Sequence, residues 1–452
     1  MLRTLVVVGL LLLVSFQTFA QDVPAPTATP ESFTYVVQLN DTLGAIAFRN
    51  RTSVGAIMRL NNLQSSEMII VGQPLLIPVR STPTPAPAPT EMAISVLPVD
   101  NPPAEADLSM FDYGIEADFD GQDVSSIVAQ INGLGMHWAK LRLSWRALQP
   151  NAGSIDYTQL DAIIDGLNAG DLNVLLTITN APDWARSSAL ENGPPDDFGT
   201  YAAFVSEIAA RYVGRVKAYE IWHEPNLRRE WNSGAHPVSA DSYADLLRGA
   251  YAAIKASDPG ATVVSAGLAP TGFNDGINAL DDRLYLARLY QVGLTQISDA
   301  VGAHPFGFAN PADILCCQAA PGVTTHFEHP SFYFLNTLND YRAIMVANGD
   351  INRKIWVTEF GWGTSEDTSA PPENSSFVSA NTLEEQASYL TRAFELGAGS
   401  GFVGMMIAYN LNSCTAQPTN TEACYYSLTA PNGTPRPAYN TLSMIFAPAI
   451  AG

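Results

Sequence analysis

The chain has 452 residues, with 44 acidic against 23 basic side chains and a formal net charge of −21. That balance excludes a phosphate-tracking nucleic-acid binder, which needs clustered Lys and Arg, and it disfavours adhesion to an anionic membrane surface by charge. Hydrophobic residues make up 47% of the chain, enough for a large core, and at ~100–200 residues per domain the length predicts two or three folded units.

In chain order, the first segment is a targeting signal. Arg3 gives a positive start, Leu5 to Phe16 form an apolar run, and Ala20 closes it with a small residue. This is the pattern of a secretory signal peptide over residues 1–20. The apolar run is shorter than the ~20 residues a spanning helix needs. The chain is therefore expected to be secreted and extracellular, with no stable membrane insertion once the signal is cut.

A small module follows over residues 33–79. Phe33 to Leu39 and Met68 to Val79 read as strands rich in β-branched and aromatic residues. Between them Leu43, Ile46 and Ala47 recur at helical spacing behind Asp41 or Thr42 as cap, and Val54, Ile57, Met58 and Leu60 mark a second short helix. The predicted order is βααβ. Residues 80–107 are a linker rich in Pro and Thr, including Thr82-Pro83-Thr84-Pro85-Ala86-Pro87-Ala88-Pro89, which favours extended polyproline conformation and builds no core.

The small module resembles a LysM domain. The resemblance rests on Tyr35-Val36-Val37-Gln38, Asn40-Asp41-Thr42-Leu43, Leu60-Asn61-Asn62-Leu63 and Gly72-Gln73-Pro74-Leu75-Leu76-Ile77-Pro78. It implies binding of N-acetylglucosamine-containing glycan, peptidoglycan or chitin, through Asp41, Thr42, Leu43, Ile69 and Ile70. As a structural alternative, Thr42 is only a helix cap and the isoleucine pair is core.

Residues 108–449 alternate strand and helix. Strands are expected at Phe111–Ile115, Trp138–Leu143, Asn173–Ile178, Ala218–Trp222, Thr262–Ala266, Ala300–Ala303, Lys354–Thr358 and Gly404–Ala408. Helical patterns intervene, such as Leu160, Ile163, Ile164 and Leu167. Eight β-then-α units of roughly 43 residues predict an α/β fold, the (β/α)8 TIM barrel. An open doubly wound sheet would want a glycine-rich loop after its first strand, and Gly114-Ile115-Glu116 is not one.

In such a barrel the functional residues lie at the C-terminal strand ends. Reading those positions gives Glu116, Arg142, Asn180, Glu224, Ala266, His304, Glu359 and Tyr409. Glu224 and Glu359 each directly end an apolar run, on strands four and seven, which face each other across the mouth. Two carboxylates flanking one bond are what glycoside hydrolysis needs, one to protonate the leaving oxygen and one to attack or to activate water. The structural alternative is a buried ion-pair network with Arg142.

These segments resemble the clan of retaining glycoside hydrolases with the acid/base on strand four and the nucleophile on strand seven, nearest to its β-xylosidase-like and cellulase-like members. The resemblance implies hydrolysis of an O-glycosidic bond of a polysaccharide or oligosaccharide, with Glu224 as general acid/base and Glu359 as nucleophile. Arg142 would then hold Glu359 ionised. The clan has Asn before the acid/base, where it binds the sugar 2-hydroxyl; here that residue is His223. His304 is a candidate subsite donor or a core histidine, and Trp184, Trp362 and Tyr409 are candidate sugar platforms, whereas Trp145, Trp222 and Trp356 read as core.

No cofactor or metal is expected, because the six histidines are scattered singly along the chain. Cys316, Cys317, Cys414 and Cys424 suggest two disulfides in an oxidising compartment, with three pairings open. The competing reading is a surface glycan-binding protein whose barrel has lost activity, with His223 as its best support.

Overall fold

The computed structural model describes residues 32–37, 46, 54–61, 63, 69–70, 72–78 and 111–447, the last span without 188–191 and 318–328. The expected signal segment, the expected linker and the expected glycan-binding residues Asp41, Thr42 and Leu43 lie outside the described residues. The chain separates into two compact units, residues 1–97 and 98–452.

In the small unit, β1 (Ser32–Val36) pairs antiparallel with β2 (Pro74–Pro78), Ser32 opposite Pro78 and Val36 opposite Pro74. The helix α1 (Val54–Asn61) lies between them in sequence. Strand alternation turns Leu75 and Ile77 into a core with Val37, Ile46 and Ile57, and leaves Leu76 exposed. Asn61 fastens helix to strand: its Nδ2 donates to the Leu76 carbonyl and its Oδ1 accepts from the Leu76 N–H, both at 2.7 Å. Ile69 packs against the core, whereas Ile70 is exposed, so of that expected pair Ile70 is the one that offers an apolar surface.

The large unit is a parallel barrel. Its strands are β3 (Asp112–Glu116), β4 (Trp138–Ser144), β5 (Asn173–Thr179), β6 (Ala218–Ile221), β7 (Thr262–Ser265), β8 (Val301–Ala303), β9 (Ile355–Phe360) and β10 (Val403–Ala408). Strands β3 to β7 pair in sequence, β10 pairs with both β3 and β9, and β9 pairs with β8. A parallel bridge between Val264 and Ala300, just ahead of β8, closes the ring. Each strand leads to a helix: α2 (Val124–Gly133), α3 (Thr158–Ala169), α4 (Phe198–Arg211), α5 (Ala240–Ser257), α6 (Asp282–Gln291), α7 (Phe334–Ala347), α8 (Leu383–Gly399) and α9 (Pro437–Phe446). Short polar side chains start several of them. Asp123, Asp197, Ser239 and Asp281 accept from N–H groups of the first turn, and Thr382 with Glu385 forms a capping box. The apolar stripes expected for the helices face the strands, as with Leu160, Ile163, Ile164 and Leu167 on α3.

The barrel interior is layered. Trp138, Leu175, Ala218, Met405 and Ile407 form an apolar layer with Trp356 packed on it. Two residues further along β4 and β6, the same inward face presents Lys140 and Glu220, both buried, so the next layer up is charged. The cysteines pair as Cys316–Cys317 and Cys414–Cys424, one of the three pairings left open by the sequence.

Candidate active site

The charged layer begins with Lys140. Its ammonium is wholly buried and lies 2.7 Å from Glu359 Oε1, 2.9 Å from Glu116 Oε2 and 3.5 Å from Glu220 Oε2. It also donates to the Thr358 carbonyl at 3.1 Å. Glu220 lies beneath the mouth with both oxygens engaged: it accepts from Thr177 and Thr358 hydroxyls at 2.6 Å each and from the Gly267 N–H at 3.0 Å. Neither Lys140 nor Glu220 stands out in the sequence as a site residue. Lys140 could have been found by its spacing, two residues before Arg142 on one strand and therefore on the same face.

Above that layer lies Glu359, at the penultimate position of β9 and 2% exposed. Arg142 donates to its Oε1 at 2.6 Å, as expected from the sequence, and His223 Nε2 lies 3.3 Å from the same oxygen. Burial alone would push the Glu359 carboxyl up. Lys140, His304, Arg142 and His223 together outweigh burial and hold it well below the usual carboxylate range. Glu116 is the opposite case: burial dominates and raises its carboxyl, reinforced by Glu359 and opposed by Lys140 and Arg142.

Glu224 follows β6 on a turn in which Trp222 (φ 69°) and Glu224 (φ 42°) are both left-handed. Such backbone costs of order 1–3 kcal/mol per residue and persists where the surroundings over-determine it. Here the Trp222 N–H is held by the Ile178 carbonyl at 3.2 Å and the Glu224 N–H by the Gly267 carbonyl at 3.1 Å. The turn aims a carboxylate, 5% exposed, into the mouth. Its Oε1 lies 3.3 Å from His304 Nδ1, and its Oε2 accepts from Arg229 at 3.1 Å. Burial pushes the Glu224 carboxyl up, but His223, His304 and Arg229 hold it below the ordinary range.

His304 links the two strand-end glutamates. Its Nδ1 touches Glu224, and its Nε2 lies 3.7 Å from Glu220 and 3.9 Å from Glu359. Gly267 makes room for it, since a Cβ there would stand 2.1 Å from the imidazole. His304 is fully buried, which favours the core-histidine alternative over the subsite donor: its contacts run to carboxylates. His223 is also buried, with Nε2 3.0 Å from Arg142 and Nδ1 3.9 Å from Glu230. Burial and Arg142 work against its proton, but Glu359, Glu224 and Glu230 prevail and raise it to about 9.

The expected aromatic platforms divide. Trp184 is 39% exposed, braced by an edge-on contact with Trp145 and a 2.9 Å bond from its indole N–H to the Gln149 carbonyl. Tyr409 is half-buried and lines a cavity of about 580 Å³ at the ends of β3, β4 and β5, together with Glu116, Arg142 and Asn180. Trp362 is a correction: it is fully buried and its indole N–H donates to the Asn310 carbonyl at 2.7 Å, so it supports the wall and cannot meet a sugar. Trp145 and Trp222 are core, as expected, and Trp356 is partly buried. The cavity is lined by Glu116 and by Arg142, which contacts Glu359, but not by Glu224 or Glu359. Histidines scattered in sequence also converge: His223, His304 and Glu224 form one buried group.

Comparison with known proteins agrees with both units. Residues 35–78 match the model of the LysM domain, and residues 117–206 match the model of glycoside hydrolase family 42, described as beta-galactosidase. Among solved structures, the chain is similar to a family 39 glycoside hydrolase from the gut symbiont Bacteroides cellulosilyticus WH2, with 17% identity and a TM-score of 0.57 over 74% of this chain and 63% of that one. It is also similar to a glucosidase from Croceicoccus marinus, with 14% identity and a TM-score of 0.52 over 75% of this chain and 66% of that one. The chain thus spans just under two thirds of each of these proteins, and at such identity the likeness defines the fold. No curated protein matches the sequence. The large unit is a (β/α)8 barrel, and residues 117–206 of it match the model of a glycoside hydrolase family. The small unit matches the LysM domain, so the chain joins a LysM-type unit to a (β/α)8 barrel.

Proposed function

We propose that the protein is a secreted glycoside hydrolase that cleaves O-glycosidic bonds with retention of configuration, held on peptidoglycan or a chitin-like glycan by its LysM unit. One observation carries this reading: a buried carboxylate from the fourth barrel strand and one from the seventh, bridged by a single imidazole, with the seventh-strand carboxylate kept ionised by two cations.

Glu359 is the nucleophile. With Lys140 and Arg142 on Oε1, its charge is stabilised at neutral pH and Oε2 is left to attack the anomeric carbon. Glu224 delivers a proton to the leaving oxygen as that bond breaks. It then takes a proton from the water that attacks the same carbon and releases Glu359. Before the first step Glu224 must hold a proton, and its Oε2 is paired with Arg229, which is 64% exposed at the side chain and free to turn toward solvent. His304 Nδ1, 3.3 Å from Oε1, is placed to exchange a proton with that side of the carboxyl. His223, in contact with Arg142 and Glu359, offers an N–H to the sugar ring where the clan offers a carboxamide.

A specific observation favours a second reading, a glycan-binding protein with a weak or inactive barrel: both oxygens of Glu224 are engaged and the carboxyl is held ionised. The test separates the two. Wild type and Glu359→Ala are assayed on aryl β-glycosides, plant and microbial polysaccharides and peptidoglycan. Turnover that disappears in the variant supports the hydrolase, and proton NMR of the first-formed anomer reads the stereochemistry. No turnover on any substrate, with glycan pull-down retained, selects the binding protein.

A further inference from the structure

We propose that His223, Glu224 and His304 form a binding site for a divalent cation of the zinc class, and that an ion bound there engages Glu224 and switches glycoside hydrolysis off. One nitrogen of each imidazole and one oxygen of Glu224 lie within 4.8 Å of one another, and all three residues are buried. The tightest pair, His304 Nδ1 and Glu224 Oε1, is separated by 3.3 Å. Two ligands about 2.1 Å from a tetrahedral ion stand ~3.4 Å apart, so this pair already has the required spacing.

A second observation is independent of that spacing. His223 Nδ1 is buried without a hydrogen-bond partner. His304 Nε2 is likewise buried without a hydrogen-bond partner, 3.7 Å from Glu220, and His223 Nε2 lies 3.3 Å from Glu359. Arg142 also approaches His223 Nε2, at 3.0 Å, while donating to Glu359. Glu230 Oε2, 3.9 Å from His223 Nδ1, is placed for a fourth ligand or for a water that fills that position.

Charge favours the ion. Glu116, Glu220, Glu224, Glu230, Glu359 and Glu422 surround the mouth, against Lys140, Arg142 and Arg229 as fixed cations. A dication would take the place of the protons that these carboxylates favour on the two imidazoles. Two imidazoles and one carboxylate suit zinc, whereas calcium and magnesium prefer oxygen donors throughout. Because the carboxylate is the proposed proton donor, occupancy and catalysis exclude each other. The site exists because His stands at position 223, where an asparagine would supply no comparable ligand.

The test is a calorimetric titration of the chelator-treated full-length protein with zinc chloride. The expected result is one equivalent bound, with affinity reduced at least roughly tenfold in His223→Asn and in His304→Asn, and unchanged in His137→Asn, a surface control. Cobalt(II) in place of zinc should give the visible absorption of a four-coordinate ion, lost in His223→Asn. Should His304→Asn not fold, His223→Asn alone decides. Binding unaffected by His223→Asn, or no binding at millimolar zinc, overturns the site. Where turnover exists, zinc should abolish it and EDTA restore it, and a zinc-dependent increase overturns the inhibitory role. Calorimetry reads the site without turnover, so a protein that binds zinc but hydrolyses nothing even in its chelator-treated, metal-free form refutes the hydrolase and not the metal site.

Discussion

Lys140→Met tests the electrostatic design of the barrel most directly. The substitution keeps the length of the side chain and removes the cation that Glu359, Glu116 and Glu220 share at 2.7, 2.9 and 3.5 Å. Arg142 remains on Glu359 and reaches Glu116 only at 3.8 Å, and Glu220 loses its nearest fixed cation. Removing one partner of a buried ion pair costs about 3–5 kcal/mol, because the other charge stays desolvated. At ~2 °C per kcal/mol for a barrel of this size, the melting temperature should fall by roughly 6–10 °C. The kinetic signature is separate. As the proposed nucleophile Glu359 must be ionised, and losing Lys140 raises its carboxyl, so the acidic limb of kcat/KM should move to higher pH, by one unit for each ~1.4 kcal/mol of lost charge stabilisation. The measurement is a pH profile of aryl-glycoside hydrolysis with differential scanning calorimetry on the same preparations. Adding Glu220→Gln should recover part of the lost stability, since one stranded carboxylate is then neutral. An unmoved acidic limb together with an unchanged melting temperature would refute the assignment of Lys140 as the cation that holds Glu359.

The remaining predictions concern single features. Trp184→Ala should raise KM with little change in melting temperature, whereas Trp362→Ala should cost about 3–5 kcal/mol of stability through the cavity it leaves; Michaelis constants and chemical denaturation distinguish them. Gly267→Ala should displace His304, lowering kcat far more than it changes KM, because the added methyl collides with the imidazole. Glu220 lies below the ordinary carboxylate range: burial pushes it up, but Lys140, His304 and Thr177 prevail. Its contribution to stability is therefore complete above the unfolded value of ~4.3 and is lost as pH falls through the lower folded value. Melting curves from pH 6 down to pH 2 should show wild type losing more stability on acidification than Glu220→Gln.

Much of this was legible in the sequence, for a definite reason. Strand and helix follow from periodicity and caps, which are local properties, so the barrel strands fall within a residue or two of expectation and Glu224 and Glu359 stand at strand ends as read. Arg142 meets Glu359, as the family resemblance implied, because both stand at strand ends of one mouth. Burial and convergence are not local. Trp362 and His304 occupy strand-end positions that look open, yet packing closes over them. Lys140 and Glu220 look like ordinary charges within strands until the closed ring turns them onto one another. The histidines are 81 residues apart and meet only because strands four and six bring their ends to the same mouth. The sequence alone therefore determined the fold class, the two units and the paired carboxylates. Only the tertiary structure decided which side chains are sealed from the sugar and which charges hold the carboxylates ionised, because both depend on distances across a closed barrel.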